Sequence, residues 1–228
     1  MDQDPRRRSG EAEDPIDRLP ETIPVFPLPG VLLLPGGRLP LNIFEPRYVA
    51  MMDDALGAPQ RVIGMIQPTE TEGGPAAGLY AVGCLGRITS FAEQDGGPYR
   101  YLITLSGLCR FTVREEMEGL RGYRRMRVDY APWRGDLHPQ STDGIERAAL
   151  LRTIKRYFKT SDIAADWEAI SGTPEDRLIT TLAMVCPFSA NEKQALLEAA
   201  DPSTRARVLM ALMEMASLRG GGEDLPRH

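Results

Sequence analysis

Histidine is nearly absent from this 228-residue chain. His138 lies in the loop-like segment GDLHPQ, and the other histidine is the terminal His228. A histidine-based metal site or a histidine-rich acid–base centre therefore has too few residues to build from. Lysine is almost as scarce. Lys155, Lys159 and Lys193 are the full set, and none follows a glycine, which removes the Walker A motif that holds nucleotide phosphates. No G-x-S-x-G nucleophile elbow occurs. Cys84, Cys109 and Cys186 are scattered, with no C-x-x-C spacing, which suits buried thiols in a reducing cytoplasm better than a disulfide framework or a zinc site. No apolar run approaches the ~20 residues that span a bilayer, and the opening MDQDPRRRSGEAEDPIDRLPE has no apolar core of a secretory signal. Positive charge is not in excess either. A formal net charge of −5 argues against a general nucleic-acid binder and against docking on anionic lipid. The expectation is a cytoplasmic protein without metal or cofactor, a monomer or weak homodimer.

What is present makes an ordinary core. Hydrophobic residues are 42% and charged residues 26% of the chain, and the length allows one large domain or two small ones. The first half reads as β. IPVFPL, VLLL, RLPLNIF and RVIGMIQP are short apolar strands interrupted by Pro27, Pro29, Pro35 and Pro40, and proline confines such strands to edges or bulges. From Leu79 to Trp133, β-branched and aromatic residues alternate with Gly and Asp-Gly-Gly-Pro interruptions that mark turns. In YRYLITLSG, Tyr99, Tyr101, Ile103 and Leu105 alternate with Arg100, Leu102, Thr104 and Ser106. The imperfect period fits a twisted or closed sheet with little exposed face.

From about Ser141 the chain reads as α. Leu151, Ile154 and Phe158 recur at helical spacing. Thr173-Pro174-Glu175-Asp176 predicts a helix start capped by Thr173. Ser189-Ala190-Asn191-Glu192 has the capping-box spacing, and Asp201-Pro202 opens a last helix closed by Gly220 to Gly222. Strands first and helices second predict an α+β architecture. The boundaries read as a disordered arm over 1–20, a β subdomain over 21–135, a helical subdomain over 136–219 and a flexible tail over 220–228.

The stretch LPLNIFEPRYVAMM, Leu39 to Met52, sets an acid, a proline and an arginine side by side. One reading is a strand-to-helix junction. Pro46 fits the first helical position, Glu45 before it is pushed to extended geometry, and its carboxylate lies at the positive helix end. Val49, Met52 and Leu56 then make an apolar stripe, and Gly57-Ala58-Pro59 stops the helix. A second, compatible reading is a surface for a partner. Other clusters carry less. Adjacent acids at Asp53-Asp54 and Glu115-Glu116 point different ways and read as solvated faces. Ser189 and Lys193 are helix neighbours, but Ser189 is better used as a cap. Arg121, Tyr123, Arg125 and Arg127 alternate as on one strand face, which would suit RNA or, in an acidic chain, pairing with nearby acids. A hydrolase using Cys84, Cys109 or His138 is the weakest alternative.

Taken together, IPVFPLPGVLLLPGGRLPLNIFEPRYVAMMDDAL, RVIGMIQP and LYAVGCLGRITSFAEQDGGPYRYLITLSGLCRFTV resemble the Lon substrate-binding domain, the N-terminal domain of ATP-dependent Lon proteases. Phe44-Glu45-Pro46-Arg47-Tyr48 fits the family's strand-to-helix motif. Gly107-Leu108-Cys109-Arg110-Phe111 fits its G-x-x-R-F signature. The likeness is strong over roughly 23–133 and weaker over the helical remainder. It implies a PUA-like β pseudo-barrel, with one short helix after its second or third strand, followed by a C-terminal helical bundle. It implies recognition of unfolded or exposed polypeptide, or of a partner protein, in an adaptor or quality-control role. Phe44, Glu45, Arg47 and Tyr48 are the residues it points to, with the charged pair orienting an extended peptide over an apolar floor. A PUA-like fold leaves RNA binding through Arg121, Tyr123, Arg125 and Arg127 as the alternative. A complete Lon protease adds ATPase and Ser-Lys protease modules. With no Gly-Lys pair here, the expectation is a non-catalytic, stand-alone domain protein of bacterial type.

Overall fold

The computed structural model describes residues 14–69, 78–94 and 100–220. Most of the N-terminal arm, the Asp95-Gly-Gly-Pro turn with Tyr99, and the tail beyond Gly220 lie outside the described residues. Within the arm, Pro15–Arg18 form a short 3-10 helix capped by the Asp14 carboxylate, which accepts from the Ile16 N–H at 3.0 Å.

Six strands form one mixed sheet: β1 (Thr22–Pro27), β2 (Arg38–Ile43), β3 (Val62–Ile66), β4 (Val82–Glu93), β5 (Tyr101–Leu120) and β6 (Tyr123–Asp129). The order is β2-β5-β4-β3-β1-β6, and β6 pairs again with β5. The sheet therefore closes on itself through β5-β4-β3-β1-β6. The 20-residue β5 makes this possible, because its first part pairs with β2 (Tyr101 to Ser106) and its last part with β6 (Thr112 to Leu120). β1 and β3 are parallel and the other pairs antiparallel. A parallel pair needs a crossover, which β2 and helix α1 (Pro46–Gly57) supply.

The prolines sit where the ladder tolerates them. Pro40 is on β2, which pairs only with β5, and Pro24 precedes the point where β1 begins to pair with β3, at Val25. VLLL departs from the sequence reading. Val31 to Leu34 form no strand; Leu32, Leu33 and Leu34 are fully buried in a loop. That loop docks by backbone bonds instead. The Gly36 N–H donates to the Gly107 carbonyl at 3.0 Å and the Gly107 N–H to the Gly37 carbonyl at 2.9 Å. A Cβ on Gly107 would lie 2.0 Å from the Leu34 carbonyl oxygen, so only glycine permits this approach.

A 3-10 segment (Ala131–Leu137) leads to α2 (Arg147–Thr160), α3 (Trp167–Gly172), α4 (Glu175–Val185), α5 (Ala190–Glu198) and α6 (Pro202–Gly220). The capping box at α5 forms as its spacing predicts. At α4 the cap is Pro174, whereas Thr173 ends α3, its hydroxyl donating to the Ala169 carbonyl at 2.7 Å. Two cores result. One fills the closed sheet, where Ile23, Val62, Leu85, Cys109, Phe111 and Met126 converge from all five ring strands. Gly64 and Gly83 make room for Phe111, since a Cβ on either would lie within 3 Å of its ring. The other core runs without a break from the outer face of the sheet through α1 into α2, α4, α5 and α6. β3 is buried at every position because it has a core on each side.

Candidate functional site

The junction from β2 to α1 forms as its sequence dictates. Pro46 starts the helix and Glu45 is extended at φ −66°, ψ 131°. The Glu45 carboxylate does not cap the helix. It accepts from Arg47 instead, with Nε at 3.0 Å and Nη2 at 2.8 Å. Arg47 also stacks 4.6 Å from the centroid of the Tyr48 ring, a favourable cation–π geometry. Tyr48 itself is buried, its ring 4.2 Å from that of Phe26. Burial raises its hydroxyl pKa, and the Arg47 charge acts against that rise. Of the four residues the sequence singles out, Tyr48 is thus a core anchor. Glu45 and Arg47 form a half-exposed ion pair, and Phe44 faces outward with 57% of its surface exposed. Among the described residues Phe44 is one of several large hydrophobics left exposed, and it stands directly at the strand-to-helix junction.

The rest of α1 is clamped to the sheet. Asp53 accepts from the Tyr101 hydroxyl at 2.7 Å and Asp54 from that of Tyr123 at 2.8 Å. These carboxylates raise the pKa of both phenols; for Tyr123 burial contributes most, and the value reaches about 12. The adjacent acids are therefore structural acceptors, not a solvated face. Arg121 joins them, 2.7 Å from Asp54. It stands in the two-residue turn Arg121-Gly122, both at positive φ, the pattern of a tight hairpin turn. That turn lies against Arg47, since a Cβ on Gly122 would be 3.4 Å from the Arg47 Cβ. Leu120, 46% exposed, sits beside it.

Of the four residues weighed as an RNA surface, Tyr123, Arg125 and Arg127 alternate along one face of β6, and only Arg121 lies off it. Arg121 is in the turn, Tyr123 is buried beneath α1, and Arg127 pairs with Glu115 at 2.5 Å. The neighbouring Arg124 forks onto Glu116, with two bonds of 2.7 Å, and this holds the Glu116 carboxyl below the usual carboxylate range.

Ser189, Lys193 and the three cysteines are each bonded or buried. The Ser189 hydroxyl is bonded within the capping box to Glu192. Lys193 is buried, donating to the Gly30 carbonyl at 2.7 Å, and desolvation lowers its pKa. Cys84, Cys109 and Cys186 are free and buried. Desolvation pushes Cys109 up to about 12 and Cys186 up to about 11. Among the described residues no cluster of His, Cys, Asp or Glu could hold a metal ion, and no helix is long and apolar enough to cross a membrane.

Sequence reasoning missed a buried seam. Arg110, the arginine of GLCRF, and Asp136 are each 2% exposed. The Arg110 guanidinium donates through Nε and Nη2 to Asp136, at 2.8 and 2.7 Å, and its remaining N–H groups reach the carbonyls of Leu197, Ala199 and Ala200. It also lies 4.1 Å from the Trp133 ring centroid. This side chain bolts the closed sheet to the end of α5, beside the Gln194 bond to the Val82 carbonyl. Beside it, a groove of about 770 Å³ opens between the Pro35–Arg38 loop, the end of the 3-10 segment, α4 and the start of α6. Its buried Arg205 had one sequence signal, an arginine standing in line with the apolar Leu209 and Leu212 of α6.

A mixed sheet carrying helices places the chain among α+β domains. Residues 22–215 match the family described as the ATP-dependent protease La (LON) substrate-binding domain, and the chain belongs to that family. It is 29% identical over 199 residues to Lon protease 2 of Myxococcus xanthus, covering 86% of this chain and 24% of that protein. Against Lon protease 2 of Sorangium cellulosum it is 28% identical over 218 residues, 88% of this chain and 26% of that protein. The chain thus spans about a quarter of the length of these relatives. The crystal structure of a Lon N-terminal domain protein from Xanthomonas campestris superposes with a TM-score of 0.57 at 25% identity, covering 83% of this chain and 97% of that one. The N-terminal domain of a Mycobacterium avium complex Lon protease has the same fold, with a TM-score of 0.62 at 19% identity over 85% and 98% of the two chains.

Proposed function

We propose that this substrate-binding domain holds exposed segments of unfolded or partly folded polypeptides, or of a protein partner, without chemical conversion, as an adaptor or quality-control factor. The observation that carries the reading is Phe44, an aromatic more than half exposed at a junction whose other members are fixed. Tyr48 locks the helix start into the core, and the Glu45–Arg47 pair stands next to Phe44 with its charges on the surface. An apolar contact rimmed by an oriented ion pair suits an extended peptide, whose side chains meet the ring and whose backbone groups meet the charges. The pairing of Arg121, Arg124 and Arg127 with acids favours this reading over an RNA surface, which needs unneutralised cations.

The test is fluorescence anisotropy of a labelled, reduced, unfolded model protein titrated with the full chain without ATP, and a gel of the same samples. Saturable binding with an intact client is expected. Phe44→Ala and Arg47→Glu should each weaken it roughly tenfold, as hot-spot truncations do, with little change in melting temperature. Cleavage of the client, or unchanged binding by both variants, would overturn the reading.

A further inference from the structure

Arg205 is 5% exposed, yet its guanidinium makes a single hydrogen bond, Nε to the Leu196 carbonyl at 2.9 Å. It forms no ion pair among the described residues. The Asp136 carboxylate nearby is taken by Arg110 on both oxygens. Four N–H donors of a buried cation are therefore unused. They are not sealed in. Gln67 Oε1 is the one fully enclosed side-chain polar atom without a partner among the described residues, so the Arg205 nitrogens open onto the groove that the residue lines. Burial, then the neighbouring Arg110 charge, lower its pKa to about 10, which leaves it cationic at neutral pH.

The groove's charge fits an anion. Arg38, Arg177 and Arg205 line it against Asp176 and against Asp136, whose charge Arg110 already neutralises, so positive charge is in excess in a chain whose net charge is −5. A buried, unpaired guanidinium is costly unless a partner completes it, and its planar fork matches a carboxylate bidentately.

We infer that this groove is a carboxylate-binding site, in which the Arg205 fork receives one carboxylate of a bound polypeptide while Arg177 and Arg38 attract it at the rim. Only the source of the carboxylate rests on the polypeptide-binding reading; the site itself rests on Arg205. That source is either a chain's C-terminus or an Asp or Glu side chain.

Three labelled peptides of one short apolar sequence separate the outcomes with the full chain: a free C-terminus without acidic residues, an amidated form, and an amidated form carrying one aspartate. At least one acidic form should bind about tenfold or more tightly than the neutral amide, and the tighter of the two names the source. Arg205→Gln should abolish that difference. Arg177→Gln, at an exposed position, should reduce it and leave the melting temperature unchanged, so the inference stays testable if Arg205→Gln fails to fold. Equal binding of all three peptides overturns the site, as does an acid preference unchanged in Arg177→Gln and Arg205→Gln. Displacement of the acidic peptide by inorganic phosphate at far lower concentration than acetate overturns the carboxylate assignment. Loss of unfolded-client binding in Phe44→Ala, with the acid preference of the peptides intact, supports a separate groove. Failure of Phe44→Ala to affect the client, with the acid preference intact, sinks only the junction reading.

Discussion

Removing Arg110 should be among the most damaging single changes available to this protein. All five of its side-chain N–H donors are used, and its only ionic partner is as buried as itself. In Arg110→Met, Asp136 keeps the residue-110 backbone N–H at 2.9 Å and the Gln140 amide at 3.3 Å, but its charge loses its counter-ion. The carbonyls of Leu197, Ala199 and Ala200 lose a donor together. Breaking a buried pair from one side costs about 3–5 kcal/mol. For a chain of this length 1 kcal/mol moves the melting temperature by about 2–4 °C, so a fall of roughly 10 °C is expected in calorimetry. Asp136→Leu should fall comparably, since it leaves an uncompensated guanidinium. The double variant Arg110→Met, Asp136→Leu should recover much of the loss, because neither charge is then buried alone. A single-variant loss under about 1 kcal/mol, or two losses that simply add in the double variant, would refute the assignment of the seam to this pair.

Gly107→Ala should destabilise by about 3 kcal/mol or more by overpacking, measured by urea unfolding, because the Leu34 backbone cannot yield as a flexible side chain would. Native protein at neutral pH should resist thiol alkylation over hours, whereas all three cysteines react once it is unfolded; burial raises each thiol, and rapid native labelling would contradict that. Acid should weaken the fold. The Asp129 carboxyl is held low first by the Ala131 N–H and then by Arg114, and Glu116 by Arg124. A depressed folded pKa gives stability that is present above the unfolded value near 4 and lost as pH falls through the folded one. The melting temperature should therefore change little on account of these groups from about pH 8 to 5 and drop below about pH 4.

The elements most legible in the sequence are those with local causes. Pro46 at a first helical position and Ser189 with Glu192 in a capping box carry their geometry in adjacent residues. VLLL misled because an apolar run of four does not say whether its backbone pairs in a ladder or docks through two glycines. Thr173 misled by one residue, since a threonine can close the preceding helix as readily as open the next. Asp53 and Asp54 read as solvent-facing because their partners, Tyr101 and Tyr123, are 48 and 69 residues away. The seam was out of reach for the same reason. Arg110 meets Asp136 across 26 residues and the end of α5 across nearly 90, and no local pattern encodes such a meeting.

This division bears on how the two candidate surfaces relate. Phe44 stands on an element fixed by local chemistry and by α1, whereas Arg205 stands where sheet and helices meet. The two are joined through one uninterrupted core that includes Tyr48 and Met52 from α1 and Leu209 and Met213 from α6. A close-packed interior transmits displacement instead of absorbing it. The seam beside the groove is tightly bonded: Arg110 is locked, and the Gln194 amide bridges the Val82 carbonyl at 3.1 Å and Glu198 at 2.7 Å. A ligand that completes Arg205 would therefore add its binding energy to a joint that already holds the helices on the sheet. It would stabilise the arrangement against unfolding by mass action more than reshape the surface around Phe44. The physical expectation is two surfaces at fixed separation, one reading apolar side chains and the other a single negative charge, so that a client satisfying both is selected over one that satisfies either.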